Sequence, residues 1–286
     1  MKINKLNPHG FCGGVKRALS LLDEAIISNI KPIYLLGDII HNRIIVEKYK
    51  SKGIIILNDK SKTRLELLDS INDGTVVFSA HGVSPSVYQK AINKGLNIID
   101  TTCPNVQVIH NQIIKHLNEG YEIIYIGNKQ HPECEGVMGI SSSIKLISNI
   151  NDIDFLNITS DKIYVTNQTT LSLYDIEHIY NKIKKLYPTS LIDNKICMAT
   201  TLRQKAVIEQ EKVDLGIIVG DSNSSNTNKL VETTKKSNIK PILVENLEHL
   251  KSLNLDYSNI RSVSITSGAS TPENLVNKII EYLENK

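Results

Sequence analysis

Apolar residues recur along the chain in two alternating patterns. After Cys12, residues Val15, Ala18, Leu19, Leu22 and Ile26 fall at helical spacing, and after Cys103 so do Val106, Ile109, Ile113 and Leu117. Such spacing predicts amphipathic helices. The stretch after Cys197, "TTLRQKAVIEQ", carries the pattern more weakly. Each predicted helix leads to a continuous apolar run ending in glycine: "PIYLLGD", "YEIIYIGN" and "DLGIIVGD". Unbroken apolar runs of this length predict strands of a parallel sheet covered on both faces. A second run follows in each case, "GIIIL", "IKLIS" or "PILVE", and then a third, "TVVFSAHG", "KIYVTNQTT" or "SVSITSGAS".

The regular order makes this an internal repeat. Cys12, Cys103 and Cys197 lie 91 and 94 residues apart, and Gly37, Gly127 and Gly220 fall 25, 24 and 23 residues after them. The expected fold is α/β: three pseudo-equivalent αβ units, with small parallel-rich sheets around a central cavity. The units are residues 1–102, 103–196 and 197–286, each carrying one of the three cysteines. The run "LNIID" delivers Cys103 and "TSLIDNKI" delivers Cys197. By the same logic "MKINKL" delivers Cys12, so residues 1–11 are expected to dock with the third unit and close a ring. Parallel αβ sheets place ligand sites at the carboxyl ends of their strands. Three cysteines and three sets of loops then face one cavity.

Composition narrows the function. Hydrophobic residues make up 41% of the 286 positions and charged residues 22%, which is ordinary for a globular protein. A formal charge of +3 provides no basic surface for nucleic acid. No apolar run has the length of a membrane span or the form of a secretion signal, so the expectation is a cytoplasmic protein without nucleic-acid or membrane partners. In a reducing compartment the four cysteines are no disulfide framework, which leaves metal binding, catalysis or burial.

Cys12 sits in "HGFCGGVKRA". Glycines on both sides let the backbone approach something bulky, and a helix start offers free N–H groups and positive potential. Three converging thiolates can hold zinc with an open position, or a cubane iron–sulfur cluster with one corner free. Cys134, in "HPECEG", has no counterpart in the other units and is expected to be a spare residue. His41, His81 and His131 each follow a strand, as do Ser224, Ser225 and Asn226. With "GASTPE" at Gly268 to Glu273 entering the last helix, these groups form an expected anion site. His110, His116, His178 and His249 are expected on solvated helix faces, and His9 in at most a local role.

Read in order, "GFCGGVKRA", "HN" at His41, "SAHGV", "DTTCP", "HPECEG", "QTTLS", "ATTLRQ", "SSNTN" and "SGASTP" resemble the 4-hydroxy-3-methylbut-2-enyl diphosphate reductase family over essentially the whole length. The resemblance implies one 4Fe-4S cluster on Cys12, Cys103 and Cys197, with a fourth iron open to the substrate hydroxyl. It implies reductive dehydroxylation of an allylic diphosphate to isopentenyl and dimethylallyl diphosphates, the last step of the methylerythritol phosphate route. Glu133 would then be the proton donor and Thr169 would lie beside the hydroxyl. His41, His81, His131, Ser224, Ser225, Asn226 and Ser270 would hold the diphosphate, and a ferredoxin or flavodoxin would supply electrons. His9 stands where the family often has arginine, and Cys134 where it commonly has an aliphatic residue. Competing readings are an iron–sulfur electron carrier, which needs four protein ligands and no anion pocket, and a zinc hydrolase of phosphate esters.

Overall fold

The apolar runs form three four-stranded sheets, every pairing parallel, in a computed structural model that describes residues 1–28, 31–59 and 61–286. The chain opens with β1 (Lys2–Lys5) and α1 (Gly13–Ser28). It continues through β2 (Ile33–Leu36), α2 (Arg43–Ser51), β3 (Ile55–Leu57), α3 (Arg64–Leu67), β4 (Thr75–Phe78), α4 (Pro85–Asn93) and β5 (Asn97–Asp100). The middle third holds α5 (Pro104–Asn118), β6 (Glu122–Ile126), α6 (Pro132–Met138), β7 (Lys145–Ile147), β8 (Ile163–Asn167), α7 (Leu173–Leu186) and β9 (Leu191–Ile192). The last third holds α8 (Met198–Glu209), β10 (Leu215–Val219), α9 (Ser225–Lys236), β11 (Lys240–Val244), α10 (Leu247–Ser252), β12 (Ser262–Ser267) and α11 (Glu273–Glu284).

The sheets run β3-β2-β4-β5, β7-β6-β8-β9 and β11-β10-β12-β1, so one strand order is used three times. In each sheet the strand ending in glycine lies inside, between the second and third runs of its repeat. The edge beyond the third run is the strand that delivers a cysteine. For the third sheet that edge is β1, paired in parallel with β12 from Lys2–Ser262 to Lys5–Ile265.

Burial on both faces explains the unbroken apolar runs. Leu35 and Val77 of the first sheet pack on Ala18 and Leu22 of α1, while Leu36, Val76 and Phe78 pack on Leu67, Val87 and Ala91. β2 ends where Gly37 takes φ +84°, and a Cβ there would lie 3.3 Å from the Arg64 guanidinium. Glycine both permits the turn and makes room for that cation.

The weak pattern after Cys197 also has a cause. α8 buries Thr200, Arg203, Gln204 and Val207, a helical face whose members are mostly polar. Two histidines depart from the solvated faces expected of them. His116 is buried and stacks on Tyr164 with ring centroids 3.9 Å apart. His110 lies against Gly82 and Gly136, and burial pushes its pKa down to about 4. No helix among the described residues is long and apolar enough to cross a membrane.

Candidate active site

Each of the three repeat cysteines stands at the start of a helix and is tied to the loop after a third-run strand by the same bond. The Cys12 N–H donates to Ala269 O at 3.0 Å, that of Cys103 to Ala80 O at 2.9 Å, and that of Cys197 to Thr169 O at 3.0 Å. The repeat seen in sequence is therefore a repeat in space. Cys12 directly precedes α1, while Cys103 and Cys197 cap α5 and α8. The Cys197 sulfur accepts the Thr200 N–H at 3.4 Å and lies 3.1 Å from the Thr200 hydroxyl.

All twelve site residues named from sequence line one cavity: Cys12, Cys103, Cys197, His41, His81, His131, Glu133, Thr169, Ser224, Ser225, Asn226 and Ser270. Its volume is about 110 Å³. Gly14 keeps the sulfur end open, because a Cβ there would stand 2.7 Å from Cys103 Sγ and 3.9 Å from Cys12 Sγ. Burial raises the pKa of Cys103 and Cys197, so cationic metal is needed to hold both as thiolates.

The chemistry of the donor set says what the sulfurs fit. A single zinc with bonds of about 2.3 Å holds its sulfurs about 3.8 Å apart. The side chains of His41, His81 and His131 bring one ligand atom each within 4.8 Å of one another. Three soft thiolate donors around a gap kept free by glycine fit a polynuclear iron–sulfur group.

The three histidines stand together. His41 lies 4.4 Å from His81 and 5.4 Å from His131 between ring centroids. His131 Nδ1 accepts the backbone N–H of Glu133 at 3.1 Å, which in the neutral ring leaves the proton on Nε2. Burial pushes His131 down to about 3, helped by the charges of His41 and Arg64, and holds His81 well below the usual range. A ring with one nitrogen accepting and the other protonated offers an N–H to an anion and no free lone pair to a metal. The start of α9 adds Ser224 as cap, with Ser225 and Asn226 in its first turn, at the positive end of a helix dipole. Ser270 Oγ donates to His41 O at 3.0 Å, and Asn226 bonds both Thr200 Oγ1 and the Ala269 N–H. The anion groups are thus tied to the cysteine loops.

Glu133, the second residue of α6, is buried. Thr169 donates to it twice, from N–H to Oε1 at 2.9 Å and from Oγ1 to Oε2 at 2.8 Å, and the Tyr125 hydroxyl adds a longer bond of 3.4 Å. Burial outweighs these bonds and raises its pKa to about 7. A carboxyl that holds a proton near neutrality is a general acid in waiting. Cys134, the next residue, points into a core of Ile109, Tyr125 and Val137 and does not line the cavity; burial pushes its thiol up to about 11.

Sequence reasoning missed Thr200, Arg64 and Arg203. Arg64 donates to Glu135 Oε2 at 2.8 Å and Pro132 O at 3.3 Å, fastening the first unit to the start of α6 beside His131 and Glu133. No motif marks it. Thr200 and Arg203 lie on the polar buried face of α8, whose helical spacing was the available signal.

A cavity at the carboxyl ends of three parallel sheets, with histidine donors on one side and a proton-holding carboxyl, belongs to an enzyme acting on an anionic small molecule. The chain's relatives agree on which kind. A family model described as LytB protein matches residues 3–284. Proteins of Bacillus cytotoxicus and Bacillus cereus (strain AH820), both named 4-hydroxy-3-methylbut-2-enyl diphosphate reductase, are 43% identical over 99% of this chain and 90% of their own length. The solved E-1-hydroxy-2-methyl-but-2-enyl-4-diphosphate reductase of Plasmodium falciparum superposes with a TM-score of 0.92 at 34% identity, covering 99% of this chain and 88% of that one. A second solved structure, titled as the terminal enzyme of the non-mevalonate pathway, gives 0.69 at 29% identity with full coverage of both chains. The chain belongs to the LytB family of reductases.

Proposed function

We propose that this chain removes the hydroxyl of 4-hydroxy-3-methylbut-2-enyl diphosphate, using two electrons and two protons to give isopentenyl and dimethylallyl diphosphates and water. The observation that carries this reading is Glu133, a buried carboxyl with a pKa near 7 held by Thr169 in the cavity that three cysteines line. A 4Fe-4S cluster on Cys12, Cys103 and Cys197, with one iron left open, would supply the electrons and polarise the C–O bond.

The chain's own groups do the rest. His41, His81 and His131, with Ser224, Ser225, Asn226 and Ser270, hold the diphosphate and so fix where the hydroxyl lies. Glu133 passes a proton to the departing oxygen through the Thr169 hydroxyl, help worth about a hundred- to ten-thousandfold in rate. The buried loops exclude water from the allylic intermediate. Each unit, 1–102, 103–196 and 197–286, contributes one cysteine and one set of anion donors. Electrons come from a small carrier such as ferredoxin or flavodoxin in the cytoplasm, where the four unpaired cysteines stay reduced.

Anaerobic purification tests the proposal. A brown protein whose visible spectrum changes on adding the allylic diphosphate supports it, and a colourless protein carrying zinc rejects it.

A further inference from the structure

Among the described residues Arg203 heads the fully buried side chains in volume, at 2% exposure. Its three hydrogen bonds all end on neutral carbonyls: Nη2 donates to Gly10 O at 2.6 Å, Nε to Ser267 O at 3.2 Å and Nη1 to Ala199 O at 2.9 Å. These acceptors lie on the loop before Cys12, the end of β12 and the first turn after Cys197. The other buried guanidinium, Arg64, has Glu135 as its partner at 2.8 Å. Arg203 has no carboxylate within ion-pair distance among the described residues.

A guanidinium stays protonated in a protein, and a buried charge without a counter-charge is strongly disfavoured. Its bonds to Gly10 O and Ala199 O anchor it two residues from Cys12 and two from Cys197, and the acidic groups whose charge acts on it are those two thiols. Arg17, a cation that donates to Thr102 O beside Cys103 at 3.0 Å, is exposed and screened by water.

We propose that Arg203 is the counter-ion of the cysteine site and a positioning residue that sets how readily the group held there is reduced. Its fork locks the Cys12 loop, the β12 end and the start of α8 in one geometry. Its charge offsets the thiolates, and each electron delivered to the site adds negative charge that a fixed cation in a dry setting favours. Removing the charge makes reduction harder, while a cation of different shape retains most of the effect. The inference rests on the cluster reading of the previous section.

The test is anaerobic redox titration of the reconstituted holoprotein, followed by visible absorbance, for wild type, Arg203→Gln and Arg203→Lys. Iron and sulfide analysis and circular dichroism accompany it. In Arg203→Gln the reduced fraction at a fixed poise should fall at least tenfold relative to the oxidised form, a midpoint about 59 mV more negative for one electron. Arg203→Lys should stay within about threefold of wild type on the same scale. A folded Arg203→Gln that loses iron while Arg203→Lys keeps it also supports the proposal. If Arg203→Gln does not fold, Arg203→Lys decides: a near-wild-type midpoint supports the charge role, and a displaced midpoint or lost iron overturns it. An unchanged midpoint in Arg203→Gln overturns it as well, as does equal damage in both variants. Wild type without iron and sulfide would instead refute the cluster reading itself, so the two failures are distinguishable.

Discussion

Thr169 grips both oxygens of Glu133, with its N–H on Oε1 at 2.9 Å and its hydroxyl on Oε2 at 2.8 Å. The pair places the proposed proton donor and its proposed relay in one buried corner. Glu133→Gln keeps the shape but cannot give up a proton as an acid, so single-turnover dehydroxylation should fall by about a hundred- to ten-thousandfold with cluster content intact. Iron analysis and rapid-quench assays check both halves.

The same carboxyl makes a prediction about stability. Its folded pKa of about 7 lies above the ordinary value of 4.5, so the unfolded chain releases this proton first as pH rises. The native state accordingly loses stability relative to the unfolded one between those two values, by roughly 3 kcal/mol in all. Glu133→Gln lacks this loss. In urea unfolding of the cluster-free protein, the variant should gain on wild type between pH 4 and pH 8, and parallel behaviour would contradict the assignment.

Thr169→Val removes the hydroxyl but keeps the backbone N–H. The lost bond is one that lowers the Glu133 pKa, so the alkaline limb of the pH–rate profile should move up while kcat falls. A lower kcat with an unmoved limb would place Thr169 elsewhere in the mechanism.

The histidines predict proton-coupled binding. Burial, neighbouring histidines and Arg64 hold His81 and His131 neutral, and a diphosphate among them favours the protonated form. Inorganic pyrophosphate should therefore bind more tightly at pH 6 than at pH 8, with net proton uptake seen by calorimetry in two buffers of different ionisation enthalpy. Without ligand the sign is opposite for stability. Folded pKa values below the usual 6.5 mean that stability is lost as pH falls from there toward 3.

Cys12→Ser, Cys103→Ser and Cys197→Ser should each lose cluster and activity, whereas Cys134→Ser should keep both. Cys134 packs in an apolar core, where a serine hydroxyl without a partner costs about 1–3 kcal/mol. Iron and sulfide contents with chemical denaturation distinguish the two effects.

Much of this was legible in the chain. Apolar runs buried on both faces announce themselves, and the nearly equal cysteine-to-glycine spacings revealed the repeat that Cys12, Cys103 and Cys197 complete in space. What stayed hidden are groups whose burial depends on partners distant in sequence. Arg203 is buried because Gly10 O and Ser267 O receive it, and His116 because Tyr164 stacks on it. Hydropathy cannot show either, since a polar residue satisfied inside reads like one solvated outside.

The central claim is that this cavity cleaves a C–O bond by reduction. The most direct measurement is a single turnover of the dithionite-reduced, reconstituted protein with 4-hydroxy-3-methylbut-2-enyl diphosphate, its products identified by mass spectrometry after phosphatase treatment. The account predicts the alcohols of isopentenyl and dimethylallyl diphosphates, with none formed when Cys103 is replaced by serine. Unchanged substrate, or release of phosphate with the hydroxyl retained, would contradict it.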